Sequence, residues 1–487
     1  MYNKLLFELS KDGRRGHVLP LCDVPEKPVT ELIEKKYMRR KPANLPQVAE
    51  NEVVRHYTAL STLNHHVDKA FYPLGSCTMK YNPKINEKLA AIPEFLQLHP
   101  DQDISTAQGA LQILYEVQED LKVITGMDGV TLQPAAGSQG ELVGLLLMQQ
   151  YHKSKGEERN IILIPDSAHG TNPASAAIAG FGINTVRSNA DGVVDLDDLR
   201  SKISPDVAGL MLTNPNTLGI FDHQVKEIRA ILDQVDALFY MDGANMNALF
   251  GLVRPGDMGF DVMHLNLHKS FSTPHGGGGP GTGPVAVKQK LIEFLPTPTI
   301  NYDGTKYYLD EGNANSIGKV HSFNGNFSLL LRAYVYIRMV GGEGFRKIAE
   351  HAIINANYLY SRLNGRYDLA FDSKPMHEFI LTAEKQKQRG GKAMDIAKRL
   401  LDFGVHPPTV YFPITVKEAM MIEPTETESK EMLDYFADAM IQIDDEITAD
   451  PEKLQQAPFT TPVRRLDEAA AARNLNINYF DSKGSDK

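Results

Sequence analysis

Short apolar runs alternate with helical stretches through the middle of the chain, and this alternation restricts the possible folds more than any other feature. The runs are four or five residues long and mostly apolar, which is typical of parallel strands buried on both faces. The predicted strands are Gly129–Leu132, Asn160–Ile164, Asn184–Arg187, Gly209–Thr213, Ala237–Met241, Val262–Leu265 and Pro284–Val287. Segments with helical periodicity, such as Ala107–Ile124, precede or separate several of them. The pattern predicts an α/β fold with a mostly parallel, doubly wound sheet.

The chain divides into four segments that differ in composition and in their pattern of predicted elements. Residues 1–100 are rich in proline and short polar segments without a long periodic pattern, so we expect an extended N-terminal arm. Residues 101–340 carry the strand–helix alternation and form the predicted large domain. Residues 341–475 contain fewer predicted elements and are expected to form a smaller C-terminal α/β domain, and 476–487 a polar tail.

The composition limits which partners the protein is expected to bind and in which cellular compartment it is expected to work. The formal net charge is −10, and an acidic chain repels phosphate backbones, which argues against nucleic acid as the main partner. The two cysteines, Cys22 and Cys77, form no CxxC pair, which fits a reducing compartment. No apolar run approaches the ~20 residues that a membrane helix requires, and the first residues lack the apolar core of a signal peptide. We therefore expect a soluble cytoplasmic protein.

Several familiar motifs fail in their context. Gly276, Gly278 and Gly281 match the spacing of a dinucleotide-binding loop, but a predicted strand follows them where a helix is required. His377-Glu378 begins a zinc-protease pattern that Leu381 breaks. No serine stands in the GxSxG context of a nucleophile elbow.

Two reactive side chains follow predicted strands at their carboxyl ends, where open α/β sheets bind ligands. Lys269 comes after Val262–Leu265, and a desolvated amine in a cleft is nucleophilic enough to form a Schiff base. The alternative is a solvated surface lysine. Asp242 ends Ala237–Met241 and could keep a pyridinium nitrogen protonated, or it could simply cap a helix.

Two further features lie at the same predicted edge. Gly137 and Ser138 form a small-residue loop before a helix, where backbone N–H groups could bind a phosphate; alternatively Ser138 is an N-cap with Glu141 in a capping box. His169 follows Asn160–Ile164 and could stack on a heteroaromatic ring or be an ordinary loop histidine. The order phosphate loop, histidine, aspartate and lysine predicts a pyridoxal 5'-phosphate enzyme with the aspartate-aminotransferase-like fold, fold type I.

Longer strings around these residues resemble the P-protein family of the glycine cleavage system, and within it the second subunits of the two-subunit enzymes. The resemblance covers nearly the whole chain. The matching strings are Gly75–Lys80, Gln133–Glu141, Asp166–Ala174, Thr213–Thr217, Tyr240–Asn245, Asn266–Phe271, Gly276–Pro284 and Glu423–Thr427.

The resemblance implies roles for individual residues. In the family, the lysine matching Lys269 carries pyridoxal phosphate, the histidine matching His169 stacks on the cofactor, and the aspartate matching Asp242 meets its ring nitrogen. We expect these three residues to be catalytic. We also expect cofactor contacts from Gly137, Ser138, Gln139, Thr217 and His268, with Ser138 and His268 as candidates for the phosphate.

The resemblance also implies the activity and the partners. We expect decarboxylation of glycine, with transfer of the aminomethyl group to the lipoyl arm of the H-protein. The first subunit is an expected partner in a heterotetramer, and Ser316–His321 could reach a neighbouring active site. Another fold-type-I enzyme, such as an amino-acid decarboxylase or an aminotransferase, is the alternative. Arg464 and Arg465 are candidates for the substrate carboxylate, and we interpret Cys77 as a small buried residue rather than a redox or substrate-channel residue.

Overall fold

The computed structural model describes residues 4–41, 43–276 and 281–477, and its chain divides into two compact units between His66 and Val67. The first unit contains α1 (Leu6–Leu9), α2 (Val29–Leu32) and α3 (Glu50–Leu63). Between residues 18 and 45, large apolar side chains such as Leu19 and Leu21 are exposed. The predicted arm therefore contains one 14-residue helix, and the division between the two compact units lies after residue 66.

The second unit is built around a seven-stranded sheet with the order β1-β7-β6-β5-β4-β2-β3. The strands are β1 (Gly129–Thr131), β2 (Ile161–Pro165), β3 (Gly182–Val186), β4 (Val207–Thr213), β5 (Leu238–Gly243), β6 (Val262–Leu265) and β7 (Val285–Val287). Only β7 pairs antiparallel with its neighbours in this sheet. The prediction of a mostly parallel α/β sheet is confirmed.

Helices accompany this sheet, and all of them except Pro93–Leu96 contain buried residues. They are α4 (Lys84–Ala90), α5 (Pro93–Leu96), α6 (Gln108–Thr125), α7 (Gly137–Ser154), α8 (Thr171–Ile178), α9 (Leu196–Lys202), α10 (Val225–Asp233) and the short α11 (Leu267–Ser270). In α6, Leu111, Leu114, Val117 and Leu121 recur at helical spacing and are all buried in the main core. This is the face that the sequence periodicity predicted.

A second, antiparallel sheet of four strands lies in the carboxyl-terminal part, with the order β10-β11-β13-β12. Its strands are β10 (Asp368–Leu369), β11 (Phe379–Thr382), β12 (Thr409–Val410) and β13 (Ala419–Ile422), while β8 (Thr299–Tyr302) and β9 (Tyr307–Asp310) form a separate hairpin. The accompanying helices are α12 (Phe327–Leu363), α13 (Glu384–Gln388), α14 (Ala393–Leu400), α15 (Lys430–Ala449), α16 (Pro451–Gln456) and α17 (Glu468–Arg473).

The helix α12 is interrupted at Gly341, whose φ of 64° and ψ of 175° are not helical. Its first half packs in the core of the large sheet, and its second half packs with the small sheet, as Leu330 and Leu359 show. None of the helices in the described ranges is long and apolar enough to cross a membrane.

Candidate active site

The predicted site residues meet in a cavity of about 340 Å³ at the carboxyl ends of the parallel strands. This is where an open α/β sheet is expected to bind ligands. The lining includes Gly137, Ser138, His169, Thr217, Asp242, His268 and Lys269. Of the residues predicted to contact the cofactor, Gln139 alone does not line the cavity. Of the glycine-rich string Gly276–Gly281, residues 277–280 lie outside the described residues.

Asp242, near the end of β5, is held by neighbours on three sides. Its Oδ2 accepts a hydrogen bond from Asn172 Nδ2 at 2.9 Å, and its Oδ1 accepts one from the backbone N–H of Ala244 at 3.0 Å. His264 Nε2 lies 3.3 Å from Asp242 Oδ1. Burial by itself would raise the pKa of Asp242, but the positive potential of His264 and the hydrogen bond from Asn172 outweigh it and leave the pKa below its ordinary value. Asp242 is therefore a buried, ionised carboxylate.

His264, which lies on β6, is the buried imidazole next to Asp242. Its Nδ1 lies 2.9 Å from the hydroxyl of Tyr240, and its Nε2 faces both Asp242 and, at 4.0 Å, Glu141 Oε1. All four side chains are buried. The sequence analysis did not identify His264, since the residue stands inside an apolar strand without a motif of its own.

His169 follows β2 and is fixed through a neighbouring threonine. Its Nδ1 lies 2.8 Å from Thr171 Oγ1, and this hydroxyl contacts Glu141 Oε1 at 2.9 Å. Glu141 also accepts a hydrogen bond from Ser175 Oγ at 3.0 Å. The alternative reading of Glu141 as part of a capping box with Ser138 is wrong, because the N-cap of α7 is Ala136 and the Glu141 carboxylate is directed toward α8.

The loop before α7 brings its backbone to the cavity. The N–H groups of Gly137, Ser138 and Gln139 belong to the first turn, where no carbonyl of the same helix can pair with them. A Cβ atom at Gly137 would lie 1.9 Å from Asn266 Oδ1. The loop therefore lies so close to Asn266 that only glycine fits at this position. The side chain of Gln139 is used elsewhere: it accepts from Ala135 N–H and donates to the Val320 carbonyl, both at 2.7 Å. Its side chain therefore shapes the loop.

Lys269 and His268 lie on α11, directly after β6. Lys269 Nζ donates to the carbonyl of Ser76 at 2.7 Å. Burial, His275 and Lys269 lower the pKa of His268 to about 3, so this imidazole is neutral, and its buried Nδ1 has no hydrogen-bond partner within the described ranges. Thr217, which follows β4, donates its hydroxyl proton to the Ser167 carbonyl, leaving its oxygen lone pairs to a ligand.

A second set of lining residues was not predicted as part of the site. Ser76 and Cys77 belong to the segment Gly75–Lys80. His377 and Glu378 come directly before β11. Burial raises the pKa of the Cys77 thiol, whose sulfur lies 4.0 Å from His275 Nε2. The signal in the sequence for Ser76 and Cys77 was the string Gly75–Lys80, which resembles the family but has no assigned role. The string Glu423–Thr427 is a similar case.

The two arginines predicted for the substrate carboxylate lie away from the cavity, whereas the reach of Ser316–His321 into a neighbouring active site stays a prediction. Arg464 donates to the Pro458 carbonyl at 2.6 Å, and Arg465 pairs with Asp395 at 2.8 Å. Neither lines the cavity, since their guanidinium groups tie the carboxyl-terminal segment to neighbouring backbone and to α14. Ser316 donates to the Leu295 carbonyl at 2.7 Å, and the segment Ser316–His321 does not line the cavity of this chain.

Two family models and full-length relatives match this chain. The family model of the glycine cleavage system P-protein matches residues 21–302, and that of the glycine dehydrogenase C-terminal domain matches residues 348–461. A probable glycine dehydrogenase (decarboxylating) subunit 2 from Chloroherpeton thalassium is 59% identical over 98% of both chains. The protein of the same description from Bacillus licheniformis is 55% identical over 98% of both chains.

Solved structures show the fold. A crystal structure of glycine decarboxylase (P-protein) of the glycine cleavage system, in an inhibitor-bound form, has a TM-score of 0.72 at 22% identity and covers 85% of this chain and 94% of its own. The glutamate decarboxylase of Lactobacillus brevis has a TM-score of 0.64 at 15% identity, with coverages of 87% and 98%. The predicted fold type I is confirmed. Together with the two family models and the full-length relatives, this places the chain in the P-protein family of the glycine cleavage system, among the second subunits of glycine dehydrogenase (decarboxylating).

Proposed function

We propose that this chain binds pyridoxal 5'-phosphate at Lys269 and decarboxylates glycine, and that the aminomethyl group passes to the lipoyl arm of the H-protein. The proposal is supported by family membership and by the names of the full-length relatives. The single observation that carries it is the placement of an ionised, buried Asp242 and the amine of Lys269 on one cavity, beside the loop of Gly137.

The residues present fit this cofactor. Five buried polar atoms of lining residues have no hydrogen-bond partner among the described residues: Thr213 Oγ1, Asn266 Oδ1, His268 Nδ1, and Nδ1 and Nε2 of His377. Buried polar atoms are rarely left unpaired, so the cavity is built for a polar ligand. The first-turn N–H groups at Gly137 and Ser138 suit its phosphate.

Each residue then has a distinct task. Bound pyridoxal phosphate supplies an electron sink for the electron pair that remains when carbon dioxide leaves. The Asp242 carboxylate would hold the proton at the ring nitrogen, because an ionised carboxylate in a buried site favours a cation beside it. His169, fixed by Thr171, would pack against the ring, and the Ser76 carbonyl accepts a hydrogen bond from the Lys269 amine, the proposed point of attachment.

The domain boundaries and the cellular setting remain part of this proposal. We propose a large cofactor-binding domain over residues 101–340 and a smaller domain over 341–475, in keeping with the two sheets and their separate cores. We also propose a cytoplasmic enzyme, which is supported by two free cysteines.

We propose that the first subunit completes the enzyme as a heterotetramer. The exposed apolar side chains between residues 18 and 45 support this, because an extended segment of this kind gains stability by covering a partner. Folds of this type also need walls that exclude water from the cavity.

The test is the glycine–bicarbonate exchange reaction with lipoylated H-protein. It is run with this chain alone, with the first subunit alone, and with the two subunits together. We expect exchange with both subunits and little with either alone, and Lys269→Ala should abolish it. Light scattering should show a complex only when both subunits are present. A stable and fully active homo-oligomer of this chain would contradict the two-subunit proposal. Exchange absent from every combination, with decarboxylation of another amino acid, would contradict the assignment of glycine.

A further inference from the structure

The cavity has no arginine for the carboxylate of its substrate. Lys269 is the sole Lys or Arg side chain among its described lining residues, and this amine is the proposed attachment point of the cofactor. Burial lowers the pKa of His268 and of His377 to about 3, so neither imidazole supplies a positive charge. With Lys269 assigned to the cofactor and His169 to its ring, a glycine carboxylate bound here is left with neutral hydrogen-bond donors among the described lining residues.

We propose that the carboxyl group of Glu378 is that donor: it is protonated in the resting enzyme and binds the substrate carboxylate through its O–H group. This inference rests on the proposed function and deepens it by naming a residue that selects an amine with an α-carboxylate. Glu378 touches the substrate in this proposal and determines its specificity.

Glu378 is well placed for the task. Its side chain lines the cavity, although the residue is only 3% exposed. Oε2 accepts a hydrogen bond from the backbone N–H of Ser76 at 2.7 Å, and the carbonyl of the same Ser76 accepts from Lys269 Nζ at 2.7 Å. The two backbone groups of one residue thus hold Glu378 and Lys269 side by side. Oε1 makes no hydrogen bond to a described residue and is 3.8 Å from His377 Nε2, which leaves it to carry a proton toward a ligand.

The neighbouring Glu423 explains why Glu378 keeps that proton. Glu423 is fully buried and takes three donors, namely the N–H and hydroxyl of Thr78 at 3.1 and 2.6 Å and the amide of Asn245 at 3.0 Å. These donors favour its charged form, whereas Glu378 has one donor only. Burial first, and then repulsion by Glu423, raise the pKa of Glu378 to about 8. Burial also raises the pKa of Glu423, so the pair holds one proton, on Glu378, which has fewer hydrogen-bond donors.

Of the other titratable groups beside Glu378, Lys269 is the one whose charge favours the ionised carboxylate. His377 is neutral, and burial keeps the Cys77 thiol protonated by raising its pKa. Lys269 is the remaining group, and its positive charge opposes the upward shift of the Glu378 pKa without reversing it. Two of the carboxyl groups that line the cavity are thus in opposite states, with Asp242 ionised and Glu378 neutral, which is a common arrangement in acid–base sites.

A neutral donor also suits the reaction. A carboxylate that is about to leave as carbon dioxide loses its charge, so an ion pair would stabilise the substrate more than the transition state and slow the chemical step. One hydrogen bond from a protonated carboxyl group orients the substrate carboxylate and stabilises its charge less than an ion pair would.

The test compares glycine with methylamine, which has the amine without the carboxylate. Both ligands are titrated by absorbance into the cofactor-loaded chain with its first subunit, so that the measurement is of binding and not of turnover. The preference for glycine should be about tenfold weaker at pH ~9 than at pH ~7 in the wild type, because Glu378 loses its proton between them. Methylamine controls for titration of the ligand amine and of the cofactor.

Two variants decide the role of the proton. Glu378→Gln keeps a donor and an acceptor, so the preference for glycine should stay within about threefold of the wild type at pH ~7 and should no longer change with pH. Glu378→Ala should lose the preference about tenfold or more, as expected when a charged group loses its hydrogen bond. Infrared spectra of the ligand-free protein should show a protonated carboxyl band that Glu378→Gln removes, and this readout does not depend on ligand binding.

A preference for glycine that Glu378→Ala retains, or a pH dependence that persists in Glu378→Gln, would refute the assignment. Infrared spectra of the wild type and Glu378→Gln without a difference in protonated carboxyl would also refute it. These results are separate from failure of the proposed function, because normal glycine–bicarbonate exchange combined with any of them contradicts the carboxylate site alone.

Discussion

Substitution of the buried Lys80 by methionine should destabilise the protein strongly. Lys80 is 2% exposed, and its Nζ pairs with Glu426 Oε1 at 2.9 Å. The same ammonium donates to the carbonyl of Ser270 at 2.7 Å and contacts the hydroxyl of Tyr336 at 3.1 Å and Asn247 Oδ1 at 3.3 Å. Lys80 therefore connects the segment Gly75–Lys80 to the residue that follows Lys269.

The magnitude follows from what the substitution leaves behind. Methionine has a similar length and fills the space, but Glu426 becomes a carboxylate with a side chain only 8% exposed and no cation beside it. Removing one partner of a buried ion pair costs about 3–5 kcal/mol. The Ser270 carbonyl also loses its donor, and an unsatisfied buried group costs about 1–3 kcal/mol. We expect the free energy of unfolding to fall by about 3–5 kcal/mol, since partial relaxation and water entry offset part of the total.

The assay is urea unfolding of Lys80→Met beside Lys84→Met, followed by fluorescence or circular dichroism. Lys84 makes a 2.6 Å pair with Asp68, but its side chain is 58% exposed, so this control should cost less than about 1 kcal/mol. The pKa of Lys80 is raised by Glu426 and Tyr336 against the effect of burial. The stabilisation is thus fully present below the unfolded-state pKa of about 10.4, and the difference between the variants should not change between pH ~6 and ~9.

Two results would refute this reasoning. One is a loss of stability in Lys80→Met no larger than in Lys84→Met. The other is a double variant, Lys80→Met with Glu426→Leu, that is no more stable than Lys80→Met, since removing both charges of a buried pair should recover much of the loss.

Further predictions concern the cavity itself. Asp242→Asn should still bind the cofactor but lose most decarboxylation in the exchange assay, because an amide cannot hold the ring nitrogen protonated; near-normal exchange would show that Asp242 is only structural. Gly137→Ala should weaken cofactor affinity about tenfold or more in equilibrium dialysis, since the added methyl would lie 1.9 Å from Asn266 Oδ1. Gly170→Ala is its control, because nothing lies within 4 Å of that position and its φ is −59°. Equal affinities for the two glycine variants would contradict the close packing of the loop.

Much of the fold could be predicted because local sequence determines it. The buried strands β4 and β5 are continuous apolar runs, and α6 repeats its apolar residues at helical spacing. The strand β13, Ala419–Ile422, was missed, since two methionines in four residues give no clear preference for a strand. Its conformation depends on pairing with β11, more than thirty residues earlier in the chain.

The site divides in the same way. Lys269 and Asp242 could be predicted because each follows an apolar strand at the edge where ligands bind. Glu378 and His264 could not, because their importance comes from neighbours distant in sequence: Ser76 is 302 residues from Glu378. Glu141 was misread for the opposite reason. Its spacing from Ser138 fits a local capping box, and only the position of α8 shows that its carboxylate pairs with Thr171 and Ser175.

The most direct measurement of the central claim is the identity of the lysine that carries the cofactor. The purified chain is loaded with pyridoxal phosphate, reduced with borohydride, digested and mapped by mass spectrometry, with Lys269→Ala treated in parallel. The account predicts a stable label on Lys269 and none elsewhere, together with loss of the visible absorbance in Lys269→Ala. A label on any other lysine, or an unchanged spectrum in the variant, would contradict it.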